Sequence, residues 1–216
     1  MTCPPVVGFR KLPRNGKARS INYENSEGRK FTQLLWSWVF CLWSEIMIQV
    51  YTGNGKGKTT AAMGLALRAL GHEMNVCIIQ FFKFKNYYGE QKNFKKFKNL
   101  KFYSFAKKHP HFYENIKTKD IKNECEKAVL IISRIIKGKK YDLLILDELN
   151  IAIRDRYIDV EKIVHLLKNK PKKMEIIITG RAAHKKILKL ADLITDMRPV
   201  KHPYYRGIKS RKGIDY

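Results

Sequence analysis

The chain has 216 residues, with 44 Lys+Arg against 19 Asp+Glu and a formal net charge of +25. At 44% hydrophobic and 12% aromatic residues it can bury a real core, which excludes a disordered chain, and its length suits one domain with an appendage. The charge attracts anions (nucleic acid, acidic lipid, nucleotide phosphate) without choosing among them, and the scattered cysteines Cys3, Cys41, Cys77 and Cys125 argue against a disulfide framework or a zinc site and for a reducing cytoplasm.

Residues 1–46 differ in character from the rest. Pro4-Pro5, Pro13, Gly16 and Gly28 precede an apolar run, Leu34 to Trp43, that holds all three tryptophans. The run is too short to span a bilayer and lies too far in for an ordinary signal peptide. It reads as an interfacial helix, as an extension packed on the domain, as a disordered leader, or as upstream sequence translated in frame ahead of Met47. The last is preferred, because Met47 opens the first core strand directly. The expectation is a leader over 1–46 and one domain over 47–216.

The β-prone segment Met47–Tyr51 runs into Thr52-Gly53-Asn54-Gly55-Lys56-Gly57-Lys58-Thr59-Thr60, and Ala61–Leu70 then reads as a helix stopped by Gly71. Strand, glycine loop, helix is the context a P-loop requires. Glycines let successive backbone N–H groups turn inward as an anion nest. The helix opening near Lys58 adds its positive dipole end. Lys58 offers a point charge to phosphate, and Thr59 a hydroxyl to Mg²⁺. The strict pattern G-x-x-x-x-G-K-[ST] wants glycine at 52; here Thr52 stands there and Gly53 follows.

Further along, Val76–Phe82 is a core strand and Leu100–Phe105 a short one. Between and beyond them, residues 83–140 hold 17 basic and 5 acidic side chains, a net +12. Lys92, Lys95, Lys96, Lys98 and Lys101 interleave there with Phe94, Phe97 and Phe102. Such a run can line a single-strand nucleic-acid groove, but lysine dominates over arginine and no RNA-binding signature accompanies it, so solvated lysines over core aromatics is the preferred reading. Tyr141–Glu148 is a buried parallel strand ending in two carboxylates. Beside a P-loop, Asp147 is placed to orient Mg²⁺ or its waters, and Glu148 to bind metal or substrate. Glu175–Thr179 adds a strand before Gly180-Arg181, and helices are expected at about 116–137, 159–169 and 183–191. Strands alternating with helices predict an α/β, P-loop NTPase-like (RecA-like) fold, a mostly parallel sheet with helices on both faces. Ligands then belong at the carboxyl ends of the strands, where Gly53–Thr60, Gln80–Lys83, Asp147–Asn150 and Thr179–Arg181 fall.

These segments together resemble one family. They are Val50 to Ala62, Arg68-Ala69-Leu70-Gly71-His72, Gln80-Phe81-Phe82-Lys83, Gly89-Glu90, Leu146-Asp147-Glu148-Leu149-Asn150 and Ile178-Thr179-Gly180-Arg181. The most specific stretch is the tail: Ala191-Asp192-Leu193, Met197-Arg198-Pro199-Val200-Lys201-His202-Pro203, Gly207-Ile208-Lys209 and Lys212-Gly213-Ile214-Asp215-Tyr216. The resemblance covers about 47–216 and is to the ATP:corrinoid adenosyltransferases of the cob(I)yrinic acid a,c-diamide type. It implies transfer of the 5′-deoxyadenosyl group of ATP to Co(I) of a reduced corrinoid, cob(I)alamin or cob(I)yrinic acid a,c-diamide. Triphosphate is released, in adenosylcobalamin biosynthesis or salvage.

The resemblance also implies roles. Gly53, Asn54, Gly55, Lys56, Gly57, Lys58, Thr59 and Thr60 match the phosphate loop, Arg181 a phosphate or nucleotide contact, and Glu148 an acidic site residue that joins Lys58 in catalysis. Thr59, Asp147 and Glu148 serve Mg²⁺, with Mn²⁺ as a substitute. Arg198, Lys201 and His202 match a tail motif that reads equally well as packing. Two departures stand out: residues 1–46 do not resemble the N-terminal helix that covers the corrinoid in many members, and Lys107–Tyr113 replaces a Gly-Phe-Thr-Trp sequence. Phe112 and Tyr113 are the candidates for the aromatic surface under the corrinoid. A homodimer and a partner that reduces cobalt follow from the resemblance; nucleic acid and membrane do not. The rival readings are a generic P-loop ATPase or kinase and a basic RecA-like nucleic-acid-dependent ATPase.

Overall fold

The computed structural model describes residues 22–24, 30–32, 47–84, 86–106 and 117–216. The chain divides into two compact units, Met1–Glu45 and Ile46–Tyr216. In the first, strands β1 (Asn22–Glu24) and β2 (Lys30–Thr32) pair antiparallel. The apolar run from Leu34 to Trp43 lies outside the described residues, as do Phe112 and Tyr113.

The second unit carries, in chain order, β3 (Ile48–Thr52), α1 (Lys58–Gly71), β4 (Val76–Phe81), α2 (Gly89–Phe94), β5 (Leu100–Phe105) and α3 (Thr118–Gly138). There follow β6 (Leu143–Asp147), α4 (Leu149–Arg154), α5 (Val160–Lys168), β7 (Glu175–Thr179), α6 (Lys185–Leu190), β8 (Leu193–Asp196) and a 3₁₀ turn at Pro203–Arg206. Six strands form one sheet in the order β5-β4-β6-β7-β3-β8, every adjacent pair parallel. This is the α/β fold expected, and it gathers all six carboxyl ends on one edge.

Strand residues alternate between two cores because side chains on a strand have a period of two. Val76, Ile78, Leu143, Ile145 and Ile177 face α1, against Ala62, Met63, Ala66, Ala69 and Leu70. Cys77, Ile79, Phe81, Leu144, Leu146, Ile176 and Ile178 face the other way, against α3 to α6. Along α3 the buried residues Ile121, Cys125, Ala128, Val129, Ile132, Ile135 and Ile136 recur at helical spacing, so one stripe of a polar helix covers the sheet. Each large aliphatic side chain so buried stabilises the fold by about 1.5–3 kcal/mol. Cys77 and Cys125 are free and act as apolar fillers; burial pushes both thiols up to about 12.

The lysine-aromatic run resolves along the same line. Phe94, Phe97 and Phe102 pack into the α1-side core, whereas Lys92, Lys95, Lys96, Lys98 and Lys101 are exposed. Phe94 is thus a core residue, and Phe97 and Phe102, partly buried, pack against the same core. Among the described residues no helix is long and apolar enough to cross a membrane.

Candidate active site

The strands leave the sheet through left-handed turns. Phe82, Ala106 and Glu148 are the first residues after β4, β5 and β6, with φ of 58°, 47° and 62°. Non-glycine residues at positive φ cost energy and gather where a backbone must present groups to a ligand.

The phosphate loop begins one residue later than the strict pattern, and the structure supplies the reason. Thr52 is the last residue of β3; its carbonyl accepts from Met197 N (2.9 Å), and its hydroxyl from Ala183 N (3.3 Å). The turn is made instead by Gly53, at φ 93°. A Cβ on Gly53 would lie 2.5 Å from the Met197 carbonyl oxygen and 2.3 Å from Asp196 Oδ1. Gly55 N donates to that same carbonyl at 2.6 Å. The segment after β8 thus braces the loop from below.

Lys58 is buried and its Nζ donates to the carbonyls of Gly53 (2.7 Å) and Gly55 (2.6 Å), closing the loop around its own ammonium. Burial draws the ammonium below its ordinary range, against the pull of Glu148. Lys56 is half-exposed and ion-paired to Asp215, which Arg211 N also holds (2.8 Å). Beside that pair Tyr216 stacks on Tyr87, ring centroids 4.9 Å apart. Asn54 is exposed on the loop, Gly57 gives the turn into α1, and Thr60 is exposed in the first turn of that helix.

Asp147 is fully buried, and four donors reach it. Thr59 Oγ1 (2.9 Å) and Thr179 Oγ1 (2.7 Å) donate to Oδ1; Gln80 Nε2 (2.9 Å) and Lys83 Nζ (2.8 Å) donate to Oδ2. Burial alone would raise the acid, but Lys83 and the threonine hydroxyls outweigh it and hold the carboxyl below its usual range. The same Lys83 Nζ also donates to Thr59 Oγ1 (3.0 Å). Glu148 sits in the turn between β6 and α4, its N–H donating to Thr179 Oγ1 (2.9 Å). Its carboxyl is raised by burial and by Asp147 beside it.

Arg181 is exposed just beyond β7, with Glu148 and Lys58 both near enough to feel its charge. Of the tail residues, Arg198 pairs with Asp196 (2.9 Å), and His202 caps the 3₁₀ turn by accepting from Tyr204 N (3.2 Å). Lys201 is exposed.

A cavity of about 750 Å³ opens on the α3 side, lined among others by Lys122, Arg154, Arg156, Tyr157, Ala182 and His184. Arg156 and Ala182 are both at positive φ, 58° and 52°. Arg154 is paired with Asp155 and Glu126 with Lys162, which leaves Lys122 and Arg156 as the cations in that wall without a carboxylate partner among the described residues. Sequence reading misses this wall, because its residues are brought together from three helices and the turn after β7. The sequence places Gln80 at the ligand edge, within Gln80–Lys83, but does not show what it bonds. Gln80 is wholly buried, linking Asp147 to Gln91 (2.8 Å).

Hard oxygen donors suit a divalent cation, and the fit can be judged donor by donor. Thr59 Oγ1 donates to Asp147 and accepts from Lys83, which leaves it one lone pair, and Glu148 carries a carboxylate without a hydrogen-bond partner among the described residues, so both fit. Asp147 does not fit as a direct ligand, since each of its oxygens already accepts two hydrogen bonds.

A parallel sheet with a lysine-closed glycine loop and a Thr59–Asp147 hydrogen bond on its carboxyl edge defines a P-loop nucleotide-binding protein. Residues 44–216 match the family described as ATP:corrinoid adenosyltransferase BtuR/CobO/CobP. The chain is 37% identical over 170 residues to a corrinoid adenosyltransferase of Escherichia coli (strain K12), covering 79% of this chain and 85% of that one. It is 37% identical over 175 residues to a corrinoid adenosyltransferase of Salmonella typhimurium, with the same coverage, and 32% identical over 170 residues to one of Pseudomonas aeruginosa, 79% and 83% covered. The chain belongs to the ATP:corrinoid adenosyltransferase family.

Proposed function

We propose that this carboxyl edge binds ATP and a reduced corrinoid side by side and moves the 5′-deoxyadenosyl group between them. The observation that carries the reading is the family match over residues 44–216. Co(I) supplies the electron pair, a Co–C bond forms at the 5′ carbon, the C–O bond breaks, and triphosphate leaves with the bonding electrons. The nucleophile belongs to the corrinoid, so the protein needs no activated Ser, Cys or His.

What the chain contributes is electrostatics and position. Charge grows on the triphosphate as the C–O bond breaks, and the loop N–H groups, Lys58 and the α1 N-terminus meet it with fixed positive potential. Lys56 exchanges Asp215 for phosphate, and Arg181 approaches from the turn after β7. Mg²⁺ or Mn²⁺, when bound, adds Lewis-acid stabilisation of the leaving group; Thr59 and Glu148 are the residues that would hold it, with Asp147 fixing the threonine hydroxyl. We assign this activity to residues 47–216, acting in the cytoplasm as a homodimer served by a separate cobalt reductase.

Incubation with ATP, Mg²⁺ and chemically reduced cobalamin tests the reading. The expected products are the adenosylated corrinoid, read from its absorption spectrum, and triphosphate. ADP and phosphate in place of triphosphate would make the chain a γ-phosphate enzyme instead.

On this reading the corrinoid enters the cavity lined by Lys122, Arg156, Tyr157 and Ala182. Arg156 and Lys122 then face acidic or amide side chains of the macrocycle. Arg156→Glu is expected to raise the KM for corrinoid about 10-fold and leave the KM for ATP unchanged, the cost of reversing one solvent-facing charge contact. The increase should be larger for an acceptor with free carboxylates than for cobalamin. Equal changes in both KM values would remove Arg156 from the corrinoid wall.

A further inference from the structure

The ammonium of Lys83 sits between the two groups that a P-loop protein reserves for its metal. It donates to Thr59 Oγ1 at 3.0 Å and to Asp147 Oδ2 at 2.8 Å, while Thr59 and Asp147 are themselves joined at 2.9 Å. The lysine is held there along its whole length. Its side chain is 12% exposed, its ammonium lies over the Tyr88 ring at 5.1 Å from the centroid, and its backbone carbonyl accepts from Ser104 Oγ at 2.7 Å. The residue before it, Phe82, is fixed in a left-handed turn and packs against Tyr157, ring centroids 5.9 Å apart.

We propose that Lys83 is the resident cation of the nucleotide-free site, a positioning residue that excludes a free divalent metal until a triphosphate chain brings one in. The inference rests on the reading of this site as a metal–triphosphate site. A divalent ion entering alone would meet a fixed positive charge within a few ångströms, at a threonine oxygen already accepting a hydrogen bond and a carboxylate with all four acceptor positions filled. A triphosphate changes both terms. It carries the negative charge that offsets Lys83, and it supplies most of the oxygen ligands itself. Metal and triphosphate therefore bind with positive coupling, and Lys83 sets its size.

The test is titration of the full chain with Mn²⁺, following free Mn²⁺ by electron paramagnetic resonance, with and without sodium triphosphate and with no corrinoid present. Wild type is expected to bind Mn²⁺ alone with Kd above about 1 mM, and Lys83→Met to bind it at least about 10-fold more tightly, since the variant leaves the Asp147 charge without its counter-cation. Lys83→Arg keeps the charge and should bind as weakly as wild type. Tight Mn²⁺ binding by the wild type without triphosphate would overturn the proposal, as would a folded Lys83→Met that binds no better, or Lys83→Arg binding like Lys83→Met. Should Lys83→Met fail to fold, Lys83→Gln, which also removes the charge but keeps a polar end group, takes its place in the same titration, with the same expected and overturning results. None of these readouts involves adenosyl transfer, so a chain that failed to adenosylate corrinoid could still exclude Mn²⁺, and an active one could still bind it.

Discussion

Lys58→Ala lowers the rate of adenosyl transfer by at least about 10²–10³-fold, the usual loss when one preorganised donor to a developing anion is removed. The structure explains why the effect falls on the reaction rather than on the fold. Lys58 makes its hydrogen bonds only to Gly53 O and Gly55 O, within its own loop, and among the described residues it bonds no other element. Two hydrogen bonds of about 0.5–1.5 kcal/mol each are lost, but a buried charge is removed with them, and the two roughly offset. Thermal unfolding should move by no more than about 4 °C. Turnover like that of the wild type would refute the assignment of Lys58 to the triphosphate.

Gly53→Ala acts on the same loop by another route, and its expected effect on nucleotide binding is as large. The residue is at φ 93°, which costs a residue with a Cβ about 1–3 kcal/mol. The new methyl would also stand 2.5 Å from the Met197 carbonyl oxygen and 2.7 Å from its nitrogen, backbone atoms that cannot turn aside. Either the loop lifts or the Asp196–Met197 segment is driven off it, and in both cases the Gly55 N to Met197 O hydrogen bond is broken. We expect ATP affinity to fall about 100-fold and chemical denaturation to show a loss of about 2–4 kcal/mol. Binding of ATP within a factor of about 2 of wild type by calorimetry would show that the brace does not matter to the loop.

Much of this site is legible in the amino-acid sequence. Lys58-Thr59 and Asp147-Glu148 stand out because glycine spacing and an apolar strand ending in acids are local patterns; β4, β6 and β7 show themselves as runs of branched apolar residues, and β3 and β5 as short β-prone segments of mixed apolar, aromatic and polar residues. The sixth, β8, does not. Leu193–Asp196 has four residues, only Leu193 is half-buried, and an edge strand with one partner needs no apolar alternation. The brace under Gly53 and Gly55 stays hidden with it, because that brace exists only where β8 pairs beside β3 and delivers Met197 to the loop. The position of Lys83 is hidden for a similar reason. Its bond to Asp147 depends on β4 and β6 being neighbours, and a pairing order across a sheet leaves no mark on either strand.

The brace under the phosphate loop also bears on the order in which the protein becomes functional. A ribosome delivers Gly53 to Lys58 early and Met197 late. Until β8 has emerged and paired with β3, the nascent chain holds a complete phosphate-binding motif whose Gly55 N–H lacks its carbonyl partner. Full competence for nucleotide is therefore expected only once β8 has paired with β3, and ATP binding by a newly made chain should report that pairing.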